Sequence, residues 1–262
     1  HSGLAAAEED NFWGKMVPYE PSPERSTHIS KKYADGSVAL ESWQYITAGL
    51  TAVWATENTR DAIFDGMERR EVYATTGPRI RVRFFGGFDF TADDAKRRNL
   101  ALVGYSGGVP MGSDLKMAPD GKAPSFLVYA LRDPMGANLD RIQIIKGWLD
   151  ADGNAQEKVY DVAWSGDRKI DENGNLPPVG DTVDLSIPSW TNTIGAPELG
   201  TVWTDPDFDP ALKAFYYARV IEIPTPRWTG YDRVKFKLDL PKEIPLKAQE
   251  RAYTSPIWYA AK

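Results

Sequence analysis

The chain has 262 residues, of which 42% are hydrophobic and 26% charged, so it can form one large or two medium globular domains. Its 31 Lys and Arg against 37 Asp and Glu give a net charge of −6, and there is no long basic run, so no nucleic-acid partner is expected; the short run Lys96-Arg97-Arg98 fits a solvated surface. Cysteine is absent, which excludes disulfides and thiolate metal sites. No apolar run reaches the roughly 18 residues of a membrane span.

The first residues differ from an ordinary N-terminus. The chain begins with His1-Ser2-Gly3 and continues into the acidic cluster Glu8-Glu9-Asp10. We therefore expect it to be the back part of a longer protein, cut near a histidine that has a function. The acidic cluster could bind a cation, but adjacent like charges more often form a solvated turn. Residues 1–48 are expected to be mostly irregular, since the prolines of Pro18–Pro23 prevent a helix.

The clearest helical pattern covers residues 58–71. Asn58 is a suitable N-cap, and Ile63, Phe64 and Met67 form an apolar stripe. Residues 50–54 before it and 72–76 after it have the composition of short strands. This order predicts a βαβ-like unit of an α/β layer, with a domain boundary at Gly77-Pro78.

From Arg79 onward the hydrophobic period changes to two, which is typical of strands. Turn motifs separate the segments, and their spacing predicts an antiparallel β-sandwich larger than a minimal immunoglobulin-like domain. One short helix is expected over residues 91–100. The predicted strands are 126–131, 142–148, 158–164, 182–187, 214–223, 233–238 and 255–259.

Two acidic loops resemble calcium-binding sequences over a few residues. Asp150–Asn154 lacks the closing Glu of an EF-hand, so a hairpin turn is the better interpretation. Asp205–Pro210 has carboxylates at alternate positions, which suits calcium, but Asp and Pro also form turns and we favour a turn.

Several long strings resemble a bacterial family of unknown function, DUF3604. Longer members of this family look like relatives of the PHP (polymerase and histidinol phosphatase) metallohydrolases. The resemblance covers most of the chain. The strings are GLTAVWA at 49–55, ENTR at 57–60, YATTGPRI at 73–80, KVYDVAWS at 158–165, WTDPDFDP at 203–210, FYYARV at 215–220, EIPTPRW at 222–228 and YTSPIWY at 253–259.

The resemblance implies an α+β protein in two parts. Residues 1–78 would be the C-terminal remnant of a PHP-like distorted β/α barrel, and residues 79–262 a β-sandwich domain. In that superfamily His, Asp and Glu side chains hold two or three divalent metals, and one late ligand lies in an Asp-x-His element. His1 looks like the histidine of that element. The resemblance thus implies Zn, Mn or Fe in the intact protein, whereas this chain alone is not expected to bind a metal tightly.

Three further residues are weighed as site candidates. His28 and Glu57 are secondary candidates for metal ligands. A surface loop position is the default for His28, and helix-end electrostatics are favoured for Glu57. Arg60 lies in the first turn of the predicted helix, where a cation is unfavourable, so it is expected to have a partner. The partner of Arg60 could be Glu57 or an anionic substrate, and the sequence is compatible with both.

Two functions from different classes are compatible with these observations. The first is a metal-dependent hydrolase of phosphoesters or related anionic esters, with a small anionic ester as substrate, of which this chain alone is expected to be inactive. The second is a non-catalytic β-sandwich module that recognises carbohydrate or a protein partner, which an exposed row among the nine Trp would favour over core packing. An exported, periplasmic location is expected because relatives in the resembled family often carry leaders; a cytoplasmic location is the alternative.

Overall fold

The computed structural model describes residues 21–46 and 48–260. These residues form an α+β structure that is mostly β-sheet, as expected, with three α-helices. His1 and the Glu8-Glu9-Asp10 cluster lie outside the described residues. The elements in chain order are β1 (Ile29–Lys32), β2 (Val38–Glu41), β3 (Leu50–Val53), α1 (Arg60–Glu68), β4 (Val72–Thr75), β5 (Arg81–Gly87), α2 (Leu100–Gly107), β6 (Gly108–Pro110), β7 (Asp114–Leu115), β8 (Ser125–Leu131), β9 (Leu139–Leu149), β10 (Ala155–Trp164), β11 (Glu198–Thr204), β12 (Ala214–Glu222), β13 (Thr225–Pro226), α3 (Trp228–Lys235), β14 (Lys247–Ala248), β15 (Arg251–Thr254) and β16 (Ile257–Tyr259).

Two sheets form the body of the molecule. The larger has eight strands, in the order β10-β9-β12-β15-β4-β3, with β16 beside β12 and β7 beside β16. The smaller has the order β11-β8-β5-β6. Among these pairs only β7 and β16 are parallel. Pairs β1-β2 and β13-β14 form separate two-stranded sheets. The antiparallel sandwich expected from the period of two is therefore present.

The core lies between the inner faces of the two sheets. In β12, buried residues alternate with partly exposed ones, so Tyr216, Ala218 and Val220 point inward. The ring of Phe126, from the smaller sheet, packs 4.5 Å from the ring of Tyr216, centroid to centroid. Because these rings are fully buried, they join the two layers by apolar contact. The predicted strand at residues 214–223 is confirmed as β12, which lies between β9 and β15 in the larger sheet.

The expected βαβ-like unit is wrong in its geometry. Strands β3 and β4 flank α1 in sequence but pair directly and antiparallel, so they are not parallel strands of an α/β layer. β4 also pairs with β15, and the larger sheet therefore continues across Gly77-Pro78. The division into domains at this point stays a prediction. The N-cap of α1 is Thr59 and not Asn58, since the Thr59 hydroxyl accepts a hydrogen bond from the amide of Ala62.

Other local predictions need correction. Residues 182–187 form no strand and contribute a single bridge, between Asp184 and Ser189. The first half of the predicted strand 233–238 belongs to α3, whose last turn carries Arg233 and Lys235, where cations suit the helix dipole. The helix expected at 91–100 is a short 3₁₀ turn at Asp94–Lys96, followed by α2. Strand β11 was not predicted, because Gly200 weakens its strand pattern.

Several large apolar side chains are exposed within residues 29–67. Phe64 and Met67, from the predicted apolar stripe of α1, are 60% and 50% exposed. The same segment exposes further large apolar side chains: Ile29, Tyr33, Val38, Ile46 and Leu50. Single exposed apolar side chains are common on protein surfaces, whereas a contiguous group of them is typical of an interface.

Candidate functional site

The strongest candidate site is a cleft at one end of the larger sheet. Glu222 ends β12, Glu250 immediately precedes β15, and Thr76 immediately follows β4, so three neighbouring strands bring these side chains together. Arg227 lies between β13 and α3, and Tyr231 lies within α3. We call this group the carboxyl–arginine cleft.

Two cavities make up the cleft. One has a volume of about 540 Å³ and is lined by Arg227 and Glu250, and the other, of about 210 Å³, is lined by Glu222 and Glu250. Thr76 and Tyr231 belong to both linings. The larger volume is within the range of small-molecule sites in proteins.

Both carboxyl groups are held in an environment that favours the neutral form. Burial raises the pKa of Glu222 to about 8, and the negative charges of Glu250 and Asp133 add to this effect. Burial also raises the pKa of Glu250, although the hydroxyl of Thr76, which donates to its carboxylate, acts in the opposite direction. A carboxyl group with a raised pKa can donate a proton near neutral pH. Perturbed carboxyls in a cleft are typical of functional sites.

Arg227 is one of two arginines that line the larger cavity of the cleft, the other being Arg251. Its Nη2 atom donates to the backbone carbonyls of Trp43 and Tyr45, at 2.6 Å in both cases. Its Nη1 atom is buried and has no hydrogen-bond partner in the described part of the chain. The same holds for Oε1 of Glu222. Burial lowers the pKa of Arg227, while the charge of Glu250 opposes that shift. A guanidinium with a free donor suits an anionic group such as a phosphate.

The residues proposed from the sequence lie elsewhere. His28 and Glu57 are exposed, and the Glu57 carboxylate accepts a hydrogen bond from the hydroxyl of Thr59 at 3.2 Å. Arg60 is exposed at the first position of α1 and forms no ion pair with Glu57. Within residues 21–46 and 48–260, no group of three or more His, Asp or Glu side chains could hold a metal. The roles suggested for His1, His28, Glu57 and Arg60 stay predictions.

Carboxylates of the two acidic loops accept hydrogen bonds or form an ion pair with neighbouring protein groups. The Asp150–Asn154 segment turns between β9 and β10, and its Asp150 carboxylate accepts the amides of Asp152 and Asn154, so the predicted hairpin is confirmed. In the second loop, Asp205 is buried against Lys146 and Tyr216.

Sequence reasoning missed the carboxyl–arginine cleft. Glu222 and Arg227 are five positions apart in a Pro-rich segment, and Glu250 is contributed from far along the chain. No spacing motif connects them. The only available signal was the pair of polar residues within the EIPTPRW string at 222–228.

No helix in the described part of the chain is long and apolar enough to cross a bilayer.

No curated protein and no solved structure matches this sequence significantly. One family profile does match, that of the protein of unknown function DUF3604, and it covers residues 1–261. Because this match extends over nearly the whole sequence, the chain belongs to the DUF3604 family.

Proposed function

We propose that this chain is the C-terminal portion of a metal-dependent hydrolase of phosphoesters or related anionic esters. In this proposal residues 1–78 are the last part of a PHP-like barrel and the sandwich is appended to it. The exposed apolar side chains of Phe64, Met67 and the neighbouring segment support the first point. Such a surface would be covered by the preceding part of a barrel.

The observation that carries the functional proposal is the meeting of Arg227 with Glu222 and Glu250 in one cleft. Arg227 has a donor free for an anionic ester, and the raised pKa of the carboxyls leaves a proton available for a leaving oxygen. Glu250 is the better placed proton donor because it lines the larger cavity together with Arg227.

The residues present do not by themselves form the metal site of such an enzyme. The described residues contain no suitable cluster of His, Asp and Glu side chains, and His1 lies outside them. We therefore derive no catalytic step through a metal. The chain alone is expected to be inactive, and Zn, Mn or Fe would be held mainly by residues upstream of it. An exported location is part of this proposal, and cell fractionation would test it.

The test uses the full-length protein that contains this sequence. Elemental analysis should find Zn, Mn or Fe in stoichiometric amount. Hydrolysis of p-nitrophenyl phosphate or bis(p-nitrophenyl) phosphate should be lost on chelation. Arg227→Lys should raise KM more than it lowers kcat, and Glu250→Gln should lower kcat. Glu198→Gln, at an exposed carboxyl, serves as the control. A protein without metal that hydrolyses neither ester would overturn the proposal.

The alternative is a non-catalytic module. One observation favours it, namely the exposure of Trp258, the single Trp in the exposed class among those described, on a sheet face that also carries other aromatic rings. This alternative predicts no stoichiometric metal in the full-length protein. The two functions are therefore separated by the elemental analysis.

A further inference from the structure

The outer face of the larger sheet carries a row of side chains that neither the core nor the carboxyl–arginine cleft uses. Residues directly opposite each other on neighbouring strands share a face of the sheet. Phe215 of β12 lies opposite Gly147 of β9 on one side and Trp258 of β16 on the other. Glu157 of β10 extends the row beyond Gly147, and Asp114 of β7 extends it beyond Trp258. We call these five residues the aromatic row.

The centre of the aromatic row is a platform of rings. The ring centroids of Phe215 and Trp258 are 5.1 Å apart, with an interplanar angle of 46°. Trp258 is 43% exposed. Gly147 makes room for this arrangement, because a Cβ atom there would lie 2.3 Å from the ring of Phe215. The ring of Tyr217 lies parallel to that of Phe215 within 12°, 6.4 Å away, and extends the aromatic surface along β12.

The platform is the floor of a cavity of about 670 Å³, the largest of those described. Its lining includes Gln156, Glu157, Asp114 and Lys213, all exposed, in addition to the rings. Asp114 forms a distant ion pair, at 3.8 Å, with Arg70. The cavity thus combines an apolar floor with a rim of hydrogen-bonding groups, which is the composition of a specific small-ligand site.

We propose that the aromatic row binds a neutral oligosaccharide. The C–H face of a sugar ring is flat and apolar enough to lie on Phe215 and Trp258, and its hydroxyls can donate to the carboxylates of Glu157 and Asp114. These two carboxylates disfavour an anionic ligand. Lys213 offsets one of these two negative charges, and two rings side by side form a floor and not a cage around an ammonium group. A charged rim also disfavours a purely apolar ligand.

The proposal that the aromatic row binds sugar does not depend on the proposed hydrolase activity. It would, however, supply a ligand class for the non-catalytic alternative. Metal content and ester hydrolysis test the hydrolase, while sugar binding tests the aromatic row. The two can therefore fail separately.

The experiment is calorimetric titration of the full-length protein with cellohexaose, xylohexaose, mannohexaose and maltohexaose. At least one should bind with saturation and quench Trp fluorescence. Trp258→Ala should weaken that binding by about tenfold or more, which corresponds to about 1.4 kcal/mol or more. Trp258→Phe should weaken it less, because a smaller ring remains. Tyr33→Ala, which removes an exposed aromatic ring far away in sequence, should leave the affinity unchanged.

Circular dichroism of each variant verifies folding, and Glu157→Gln gives a second variant that changes the rim without removing a ring. It should weaken binding and leave the thermal midpoint unchanged. The proposal is overturned if none of the four sugars binds. It is also overturned if Trp258→Ala binds as tightly as the parent protein, or if choline binds at this site and the sugars do not.

Discussion

Arg25 and Asp232 form a fully buried bidentate ion pair across 207 positions of sequence. Nε and Nη2 of Arg25 each donate to a different carboxylate oxygen of Asp232, at 2.6 Å in both cases, and neither side chain is exposed. The guanidinium also stacks 4.7 Å from the ring centroid of Trp228. The pair joins the segment before β1 to helix α3. Because Arg227 binds the carbonyls of Trp43 and Tyr45, this early segment is fixed at both ends beside the carboxyl–arginine cleft.

The first prediction concerns this ion pair. Asp232→Ala should lower the free energy of unfolding by about 3–5 kcal/mol, since it leaves the Arg25 charge buried without its carboxylate. Burial raises the pKa of Asp232 by more than the hydrogen bond and charge of Arg25 lower it. The cost of removing the carboxylate from water is therefore large relative to its attraction to Arg25. Urea denaturation measures the change. Asp181→Ala, which breaks the half-exposed pair with Lys247, is the control and should cost less than about 1 kcal/mol. An equal cost for both variants would contradict the prediction.

A second buried ion pair lies between the two layers of the sandwich. Lys146 Nζ is 2.7 Å from Oδ2 of Asp205, whose side chain also accepts the hydroxyl of Tyr216 at 2.7 Å. Asp205→Ala should destabilise the fold by about 3–5 kcal/mol, because the buried ammonium of Lys146 loses its counter-charge, although it keeps the Asp207 carbonyl as an acceptor, and the buried hydroxyl of Tyr216 loses its acceptor. Thermal and urea unfolding measure this effect.

The neighbouring pair of Lys158 and Asp207 is the matched control for this second prediction. It is about half exposed on both sides, and Lys158→Met should change the free energy of unfolding by less than about 1 kcal/mol. A small loss from Asp205→Ala, comparable with that of Lys158→Met, would show that the buried pair contributes little beyond an exposed one.

The third prediction is a pH dependence of stability. The pKa of Glu222 is raised from 4.5 to about 8 on folding, so the folded state holds the proton more tightly than the unfolded chain. The resulting stabilisation is complete below the unfolded pKa and is lost as pH rises through about 8. Glu222→Gln should remove this dependence and leave the protein more stable than the parent at about pH 9.

Urea denaturation of both proteins across this pH range provides the measurement. Glu57→Gln, at an exposed carboxyl, is the control and should follow the pH profile of the parent protein. If the stability of Glu222→Gln falls with rising pH as steeply as that of the parent, another titrating group causes the pH dependence of unfolding, and the prediction is contradicted.

The fourth prediction compares two glycines with similar backbone conformations. Gly112 has φ of +86° and Gly153 has φ of +81°, a region that other residues adopt at a cost of about 1–2 kcal/mol. A Cβ at Gly112 would lie 2.1 Å from the backbone oxygen of Arg70, whereas a Cβ at Gly153 would meet nothing within 4 Å. Gly112→Ala should therefore cost about 1–3 kcal/mol more than Gly153→Ala. Chemical denaturation of the two variants tests the difference, and equal costs would contradict it.

Local features that depend on hydrophobic period and turn chemistry can be read from the amino-acid order alone. The alternation in residues 214–222 predicted β12 because successive side chains of a strand point to opposite faces. The acidic turn at Asp150–Asn154 predicted the β9-β10 hairpin, since its side chains bind the backbone of the turn. Long strings of sequence also predicted the family, which the match over residues 1–261 confirms.

The way in which distant parts of the chain meet becomes visible in the folded protein and not in the sequence. The segment flanking α1 had the element order of a βαβ unit, yet β3 and β4 pair antiparallel, because strand direction depends on the path of the connecting chain and not on local propensity. Glu222, Arg227 and Glu250 came together through strand order in the larger sheet. The same holds for the aromatic row, where Phe215 and Trp258 become neighbours by register. Which distant strands become neighbours depends on contacts across the whole fold, so the separation of Phe215 and Trp258 along the sequence does not predict that their rings meet.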